Sequence, residues 1–362
     1  MPTRSGFTFS AGPAMLPTAV LDWIQQDLFD WRGTGFSILE ASQWDPVLLG
    51  MFTEVEQDLR ALLRVPDEYA VLFLHGGASN QFAMVPLNLL GSRDRACYLH
   101  TGLWSGKAIH EARRYARVDL AASTESTGFR RVPTADEIDV DSDAAYLHYT
   151  PSETVQGLEY GYVPDPGDVP LVADYSSALL TSAIDVAQFG VIYASAQKNL
   201  GATGLTVVIV HRDLIGRADP RTPTTFDYAV HERTGSRYTT PPVFAWYLTG
   251  LMLRWVRLQG GVGQVAAACR KKADAVYAAL DGSDFYQTRV DPDSRSRTSI
   301  PFLLADTALD EMFLVEAEKS GLKALRGHSS TGGLRASLYL GMPEEGARTL
   351  AEFLRAFEAR YG

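Results

Sequence analysis

Short, continuously apolar runs recur along this chain, each followed by a loop and then a stretch with helical spacing. Tyr69-Ala-Val-Leu-Phe-Leu74 passes through His75-Gly-Gly-Ala-Ser79 into a helical pattern over 80–90. Ala96-Cys-Tyr-Leu-His100 leads into another over 105–115. Ala144-Ala-Tyr-Leu-His148, Leu171-Val-Ala173, Val191-Ile-Tyr193 and Leu205-Thr-Val-Val-Ile-Val210 repeat the strand signal. Strands that are apolar throughout, with no in-out alternation, are buried on both faces, and helices must cover those faces. The expected fold class is therefore α/β, with a mostly parallel sheet covered by helices.

The pattern changes near Gln259-Gly-Gly-Val-Gly263. A long helical segment over 265–280 leads through an arginine-serine loop into Thr298-Ser-Ile-Pro-Phe-Leu-Leu304, then Leu334-Arg-Ala-Ser-Leu-Tyr339 and a closing helix over 343–361. We expect an N-terminal arm (1–15), a large domain (16–262) that opens with helices over 17–32 and 46–63, and a small α+β C-terminal domain (263–362). A chain of 362 residues has room for that division.

A net charge of -10 disfavours nucleic acid and anionic membrane as partners, because both call for a basic surface. Two cysteines, Cys97 and Cys269, make no disulfide framework, and seven histidines without ligand spacing give no metal site. No apolar run approaches the roughly 18 residues of a membrane span. Met1 to Ser10 lacks the apolar core of a secretion signal, so a cytoplasmic location is expected.

Lys198 lies between two buried strand runs, in Ala196-Gln-Lys-Asn199. It is either a solvated hairpin-tip lysine or an amine deprotonated by its surroundings, able to form a Schiff base. Three other strand ends bear on the choice. Asp174 follows Val172-Ala173, and an aspartate with a lysine is the pair a pyridoxal cofactor requires: the carboxylate holds the pyridine nitrogen, the amine holds the aldehyde. Taken alone, Asp174 reads equally as a helix N-cap. His75-Gly-Gly-Ala-Ser79 can seat a phosphate at a helix start, although glycine turns are common there. Trp104, in Thr101-Gly-Leu-Trp-Ser-Gly106, can stack on a ring or simply pack in the core.

Taken in order, these stretches resemble the phosphoserine aminotransferase family of class-V, fold-type I pyridoxal-phosphate enzymes from end to end. Further matching segments are Phe9-Ser-Ala-Gly-Pro-Ala-Met-Leu-Pro17, Tyr149-Thr-Pro-Ser-Glu-Thr154, Thr240-Pro-Pro-Val-Phe-Ala-Trp-Tyr247 and Gly332-Gly-Leu-Arg-Ala-Ser337. The resemblance implies pyridoxal 5'-phosphate bound to Lys198, which also shuttles the proton. It implies Asp174 on the pyridine nitrogen, Trp104 on the ring and Thr154 on the ring hydroxyl. The phosphate falls to Ala78, Ser79 and Gln197, with Thr239 and Thr240 contributed by a second subunit. Arg335 takes the substrate α-carboxylate, and the enzyme is a homodimer with its sites at the subunit interface.

One region departs from the family. Where the family has Ser-His-Arg-Gly, this chain has Ser42-Gln-Trp-Asp45, and where the family has Gly-His-Arg it has Gly327-His328-Ser329. Some members also carry Ala-Arg where this chain has Ala78-Ser79. The missing groups bind the substrate's distal anion, and each charge-assisted hydrogen bond is worth roughly 1.5–3 kcal/mol. The leading expectation is a transaminase with specificity moved away from phosphoserine, its substrate contacted by Gln43, Trp44 and His328. The alternative is a phosphoserine aminotransferase, working on 3-phosphooxypyruvate and L-glutamate, in which Arg237, Arg233, Arg326 or Lys107 replaces the lost charge. A pyridoxal enzyme with another outcome, decarboxylation or elimination, fits less well because Arg335 clamps the α-carboxylate. A cofactor-binding relic without turnover fits least.

Overall fold

The computed structural model describes residues 5–362; the first four residues of the expected arm lie outside them. The arm enters as β1 (Phe7–Thr8) and leads to α1 (Thr18–Asp27), which is shorter than the expected 17–32. The chain turns at Trp31–Gly33, with Arg32 at φ 54°, and this turn buries the Trp31 ring. In α2 (Pro46–Leu63), Asp45 caps the start by accepting the Val47 N–H at 2.7 Å, and Pro46 occupies the first position, where its missing N–H costs nothing.

The expected alternation follows as β2 (Tyr69–His75), α3 (Ala78–Leu89), β3 (Arg95–His100), α4 (Leu103–Ala112) and β4 (Arg117–Ser123). Sequence reasoning missed β4 because its side chains are mostly part-exposed, as befits an edge strand. Next come β5 (Leu147–Tyr149), the small hairpin β6 (Ser152–Glu153) with β7 (Leu158–Glu159), then β8 (Leu171–Asp174), β9 (Val191–Ser195) and β10 (Leu205–His211). Helices α5 (Tyr228–Arg233), α6 (Val243–Leu258) and α7 (Val262–Asp281) precede the C-terminal part. That part holds β11 (Tyr286–Gln287), β12 (Ser299–Leu304), α8 (Asp310–Lys319), β13 (Leu322–Lys323), β14 (Leu334–Ser337) and α9 (Glu344–Tyr361).

The central sheet has the order β2-β10-β9-β8-β5-β3-β4. Six strands run parallel, and β10 alone runs against its neighbours β2 and β9. That reversal makes β9–β10 a hairpin and puts its turn, with Lys198, at the carboxyl edge where β2, β3, β5 and β8 also end. Ligands of parallel α/β sheets gather at this edge.

A second apolar cluster, including Phe302, Phe313, Leu350 and Phe357, packs under the C-terminal strands and takes in Phe9 of the arm. β1 pairs in parallel with β13, which fastens the arm to this part. Helix α7 gives Val265 and Cys269 to the large core and Val276 and Leu280 to the second, so it bridges the expected boundary at 262. Among the described residues, no helix is long and apolar enough to cross a membrane.

Candidate active site

Lys198 is not a solvated hairpin tip. It is only 9% exposed, and its Nζ lies 5.7 Å from the centre of the Trp104 ring with no hydrogen-bond partner among the described residues. Burial lowers its pKa against the opposing pull of Asp174 and Glu153, so the neutral amine is more accessible than on a free lysine. Asp174 ends β8 at 5% exposure, its Oδ1 accepting the Ser176 N–H at 3.0 Å. Burial raises its pKa, partly offset by hydrogen bonds and by Lys198.

Trp104 sits in the first turn of α4, its indole N–H donating to Thr154 Oγ1 at 2.8 Å. Glu153, which the sequence reading passed over, secures this arrangement. Its carboxylate accepts the Trp104 N–H at 2.9 Å and the Ser105 N–H at 2.7 Å, closing a helix start whose N-cap is Gly102. Burial raises its pKa. The available signal was its place beside Thr154 in the stretch Tyr149-Thr-Pro-Ser-Glu-Thr154.

At the β2–α3 loop, Gly76 has φ +96°, and a Cβ there would lie 2.2 Å from Asn80 Nδ2, so only glycine fits. No side chain caps α3 at Gly77; the Asn80 N–H turns back to the Gly77 carbonyl at 2.9 Å, while the Ala78 and Ser79 N–H groups stand at the helix start where an anion can be met. Gln197 is tied to the arm: its carbonyl accepts the Ala14 N–H at 2.9 Å. Thr239 and Thr240 are exposed, and the Thr240 carbonyl accepts from His75 Nε2 at 2.8 Å, next to this loop.

Arg335 lies on β14, half-buried and without a carboxylate partner among the described residues; burial lowers its pKa. His328 is half-buried, and its Nδ1 accepts from Ser330, which leaves Nε2 to carry the ring proton. Desolvation lowers its pKa first, followed by the charges of Arg335 and Lys107. Lys107 on α4 holds its ammonium 4.7 Å from the Trp104 ring centre. It also lines a cavity of about 600 Å³ with Ser79 and Ser330.

Two expected contacts lie on the loop before α2. Trp44 is 73% exposed on the loop before α2, and Gln43 neighbours it. Of the candidate replacement cations, Arg326 is already committed to a two-pronged pair with Glu311 at 2.6 and 2.8 Å. Arg233 is exposed and Arg237 folds back over Gly235.

The residues fit pyridoxal phosphate on the structure's own terms. A buried carboxylate without a full cationic partner suits a protonated pyridine, the indole offers a flat wall, and an uncapped helix start offers a phosphate seat. The class-V aminotransferase family profile matches residues 7–350. The chain belongs to that family. It is 48% identical to the phosphoserine aminotransferase of Acidithiobacillus ferrooxidans over 98% of this chain and 99% of that one. The phosphoserine aminotransferase structure from Bacillus circulans subsp. alkalophilus superposes with TM-score 0.97 at 42% identity, over 99% and 100% of the two chains. That from Trichomonas vaginalis, solved with pyridoxal phosphate bound, gives 0.93 at 35% identity over 97% and 99%. The protein is a pyridoxal-phosphate-dependent transaminase of the phosphoserine aminotransferase family.

Proposed function

We propose that this transaminase exchanges an amino group between L-glutamate and 3-phosphooxypyruvate, with its distal-anion subsite rebuilt around Lys107 and His328. The carrying observation is that Arg335 and Lys107 both lie close enough to His328 to lower its pKa, and that none of the three makes an ion pair with a carboxylate among the described residues. Three positively polarised groups left unpaired are suited to a substrate with an anion at each end. The full-length relatives support the same reading.

The expected move of specificity away from phosphoserine finds no support in those relatives. Its structural argument also weakens, because Trp44 points to solvent within the chain and lost arginine charge can be restored by Lys107.

When bound, pyridoxal phosphate withdraws electrons from the substrate α-carbon. On this reading, Lys198 would take up and hand on the proton of the substrate α-carbon, a role that a lowered amine pKa favours. Asp174 would hold the ring nitrogen, and Trp104, fixed through Thr154 and Glu153, would hold the ring plane. Arg335 clamps the α-carboxylate, and Lys107 with the His328 Nε2–H takes the distal phosphate. Exposed apolar side chains crowd the segment before α2: Phe29 at 84%, Phe36 at 65%, Leu39 at 62% and Trp44 at 73%. A second copy of the chain covering them makes a homodimer that also brings Gln43, Thr239 and Thr240 to a neighbouring site; light scattering after gel filtration reads the mass.

The test is a single-turnover panel in which purified holoenzyme meets phosphoserine, glutamate, serine, alanine and aromatic amino acids, followed by cofactor absorbance. Fast conversion by phosphoserine and glutamate alone supports the proposal; conversion only by uncharged or aromatic amino acids defeats it.

A further inference from the structure

A buried polar chain lies behind Asp174 that the reaction above does not use. In the sheet register, Asp174 on β8 pairs with Tyr193 on β9, His148 on β5 pairs with Val172 on β8, and Tyr98 on β3 pairs with His148. Paired residues of parallel neighbours share a face, as do residues two apart on one strand. Tyr98, His148, Asp174 and Tyr193 therefore form one row across the sheet. His148 Nε2 and Tyr193 Oη are 2.8 Å apart. Tyr98 stacks on the imidazole at 4.9 Å and 25°, and its own hydroxyl meets that of Tyr146 at 2.8 Å. The four rings are at most 1% exposed.

We propose that Tyr193 and His148 are positioning residues that keep Asp174 ionised against the cofactor's pyridine nitrogen. The inference rests on Asp174 facing that nitrogen, as in the proposed function.

The direction of the hydrogen bonds follows from proton counting. Burial holds His148 neutral, pushing its pKa down to about 3, so the ring carries one N–H. The Tyr193 hydroxyl also faces the Asp174 carboxyl and pulls its pKa down. Tyr193 has one proton, and giving it to the carboxylate avoids setting an oxygen lone pair against a negative charge. Tyr193 Oη then accepts, so His148 must donate from Nε2, leaving Nδ1 bare. Nδ1 is indeed the His148 atom that is buried without a partner. Both donors thus point toward Asp174, countering the burial that favours its neutral form.

The test compares Tyr193→Phe, His148→Phe and Asp174→Asn with wild type. Three quantities are read: the dissociation constant for pyridoxal phosphate, the nitrogen-15 shift of labelled bound cofactor against pH, and melting of the cofactor-free protein. We expect Y193F to weaken cofactor binding about ten- to hundredfold. It should also move loss of the pyridine proton to lower pH and reduce turnover with KM unchanged. H148F moves the same readings in the same direction by less, and provides the result should Y193F fail to fold. If D174N changes the nitrogen-15 shift while Y193F and H148F leave it and the affinity as in wild type, the inference is overturned and the reading of Asp174 stands. If D174N also leaves them unchanged, the reading of Asp174 fails and takes the inference with it. Lower melting temperatures in Y193F and H148F, with unaltered affinity and nitrogen shift, assign the pair a purely structural role and overturn the inference.

Discussion

Lys198 and Lys272 are both nearly inaccessible, at 9% and 3% exposure, yet the fold treats them in opposite ways. Lys272 points from α7 into the segment between β14 and α9 and donates at 2.9 Å to each of the Tyr339 and Met342 carbonyls. Lys198 has no hydrogen bond among the described residues and only an indole face 5.7 Å away. Burial lowers the pKa of both. The difference teaches that desolvation alone does not make a lysine chemical. A buried amine whose protons are already given to carbonyls is a structural tie, while one left unsatisfied beside a carboxylate and an open edge is available to react.

The strongest way to break this comparison is to exchange the outcomes. Lys198→Ala should lower transamination by at least about 10⁴-fold, since both the attaching amine and the proton carrier are lost. Borohydride should then no longer fix the cofactor to the chain. Lys272→Met should leave the half-reaction rates near wild type but cost about 2–5 kcal/mol of stability, read by urea unfolding, because two buried carbonyls lose their donor. Activity loss in K272M without instability would mean the two lysines are not divided as argued.

A third lysine sharpens the contrast. Lys107 is exposed, which suits a side chain meant to meet an anionic ligand. Lys107→Ala should raise KM for phosphoserine about tenfold while leaving kcat and the reaction with glutamate less affected. Equal losses for both substrates would move Lys107 from the distal phosphate to the support of Trp104.

Much of this was legible in sequence, for identifiable reasons. Continuous apolar runs and glycine loops are local signals, and Lys198, Asp174, Trp104 and Thr154 each stand at or near a strand end, so one parallel sheet gathers them. The antiparallel course of β10 was legible in the short connection from β9, since nine residues make a hairpin and are too few for a parallel crossover. Glu153, Tyr193 and His148 were missed because their roles arise from register: which residue lies opposite Asp174 depends on strand order, and a single chain read in line does not display it. Trp44 stands exposed on the loop before α2, which a single chain read in line does not display.

The smallest predicted effect is a stability difference in the cofactor-free protein. In the unfolded chain, Lys198 keeps its proton up to a pKa of about 10.4. In the folded site burial lowers that pKa, so between the two values the unfolded state binds more protons and stability rises with pH. Below the folded-state pKa the penalty for burying the ammonium is fully present. Lys198→Met removes it, so the cofactor-free variant should be more stable than wild type by about 1 kcal/mol at neutral pH. The gap should close as pH climbs toward the unfolded value, while K272M stays less stable than wild type at neutral pH. Urea midpoints at pH 7 and pH 9.5 for wild type and both variants decide it. If K198M is the less stable at pH 7, Lys198 is held by interactions like those of Lys272, and the site has no unsatisfied amine to offer.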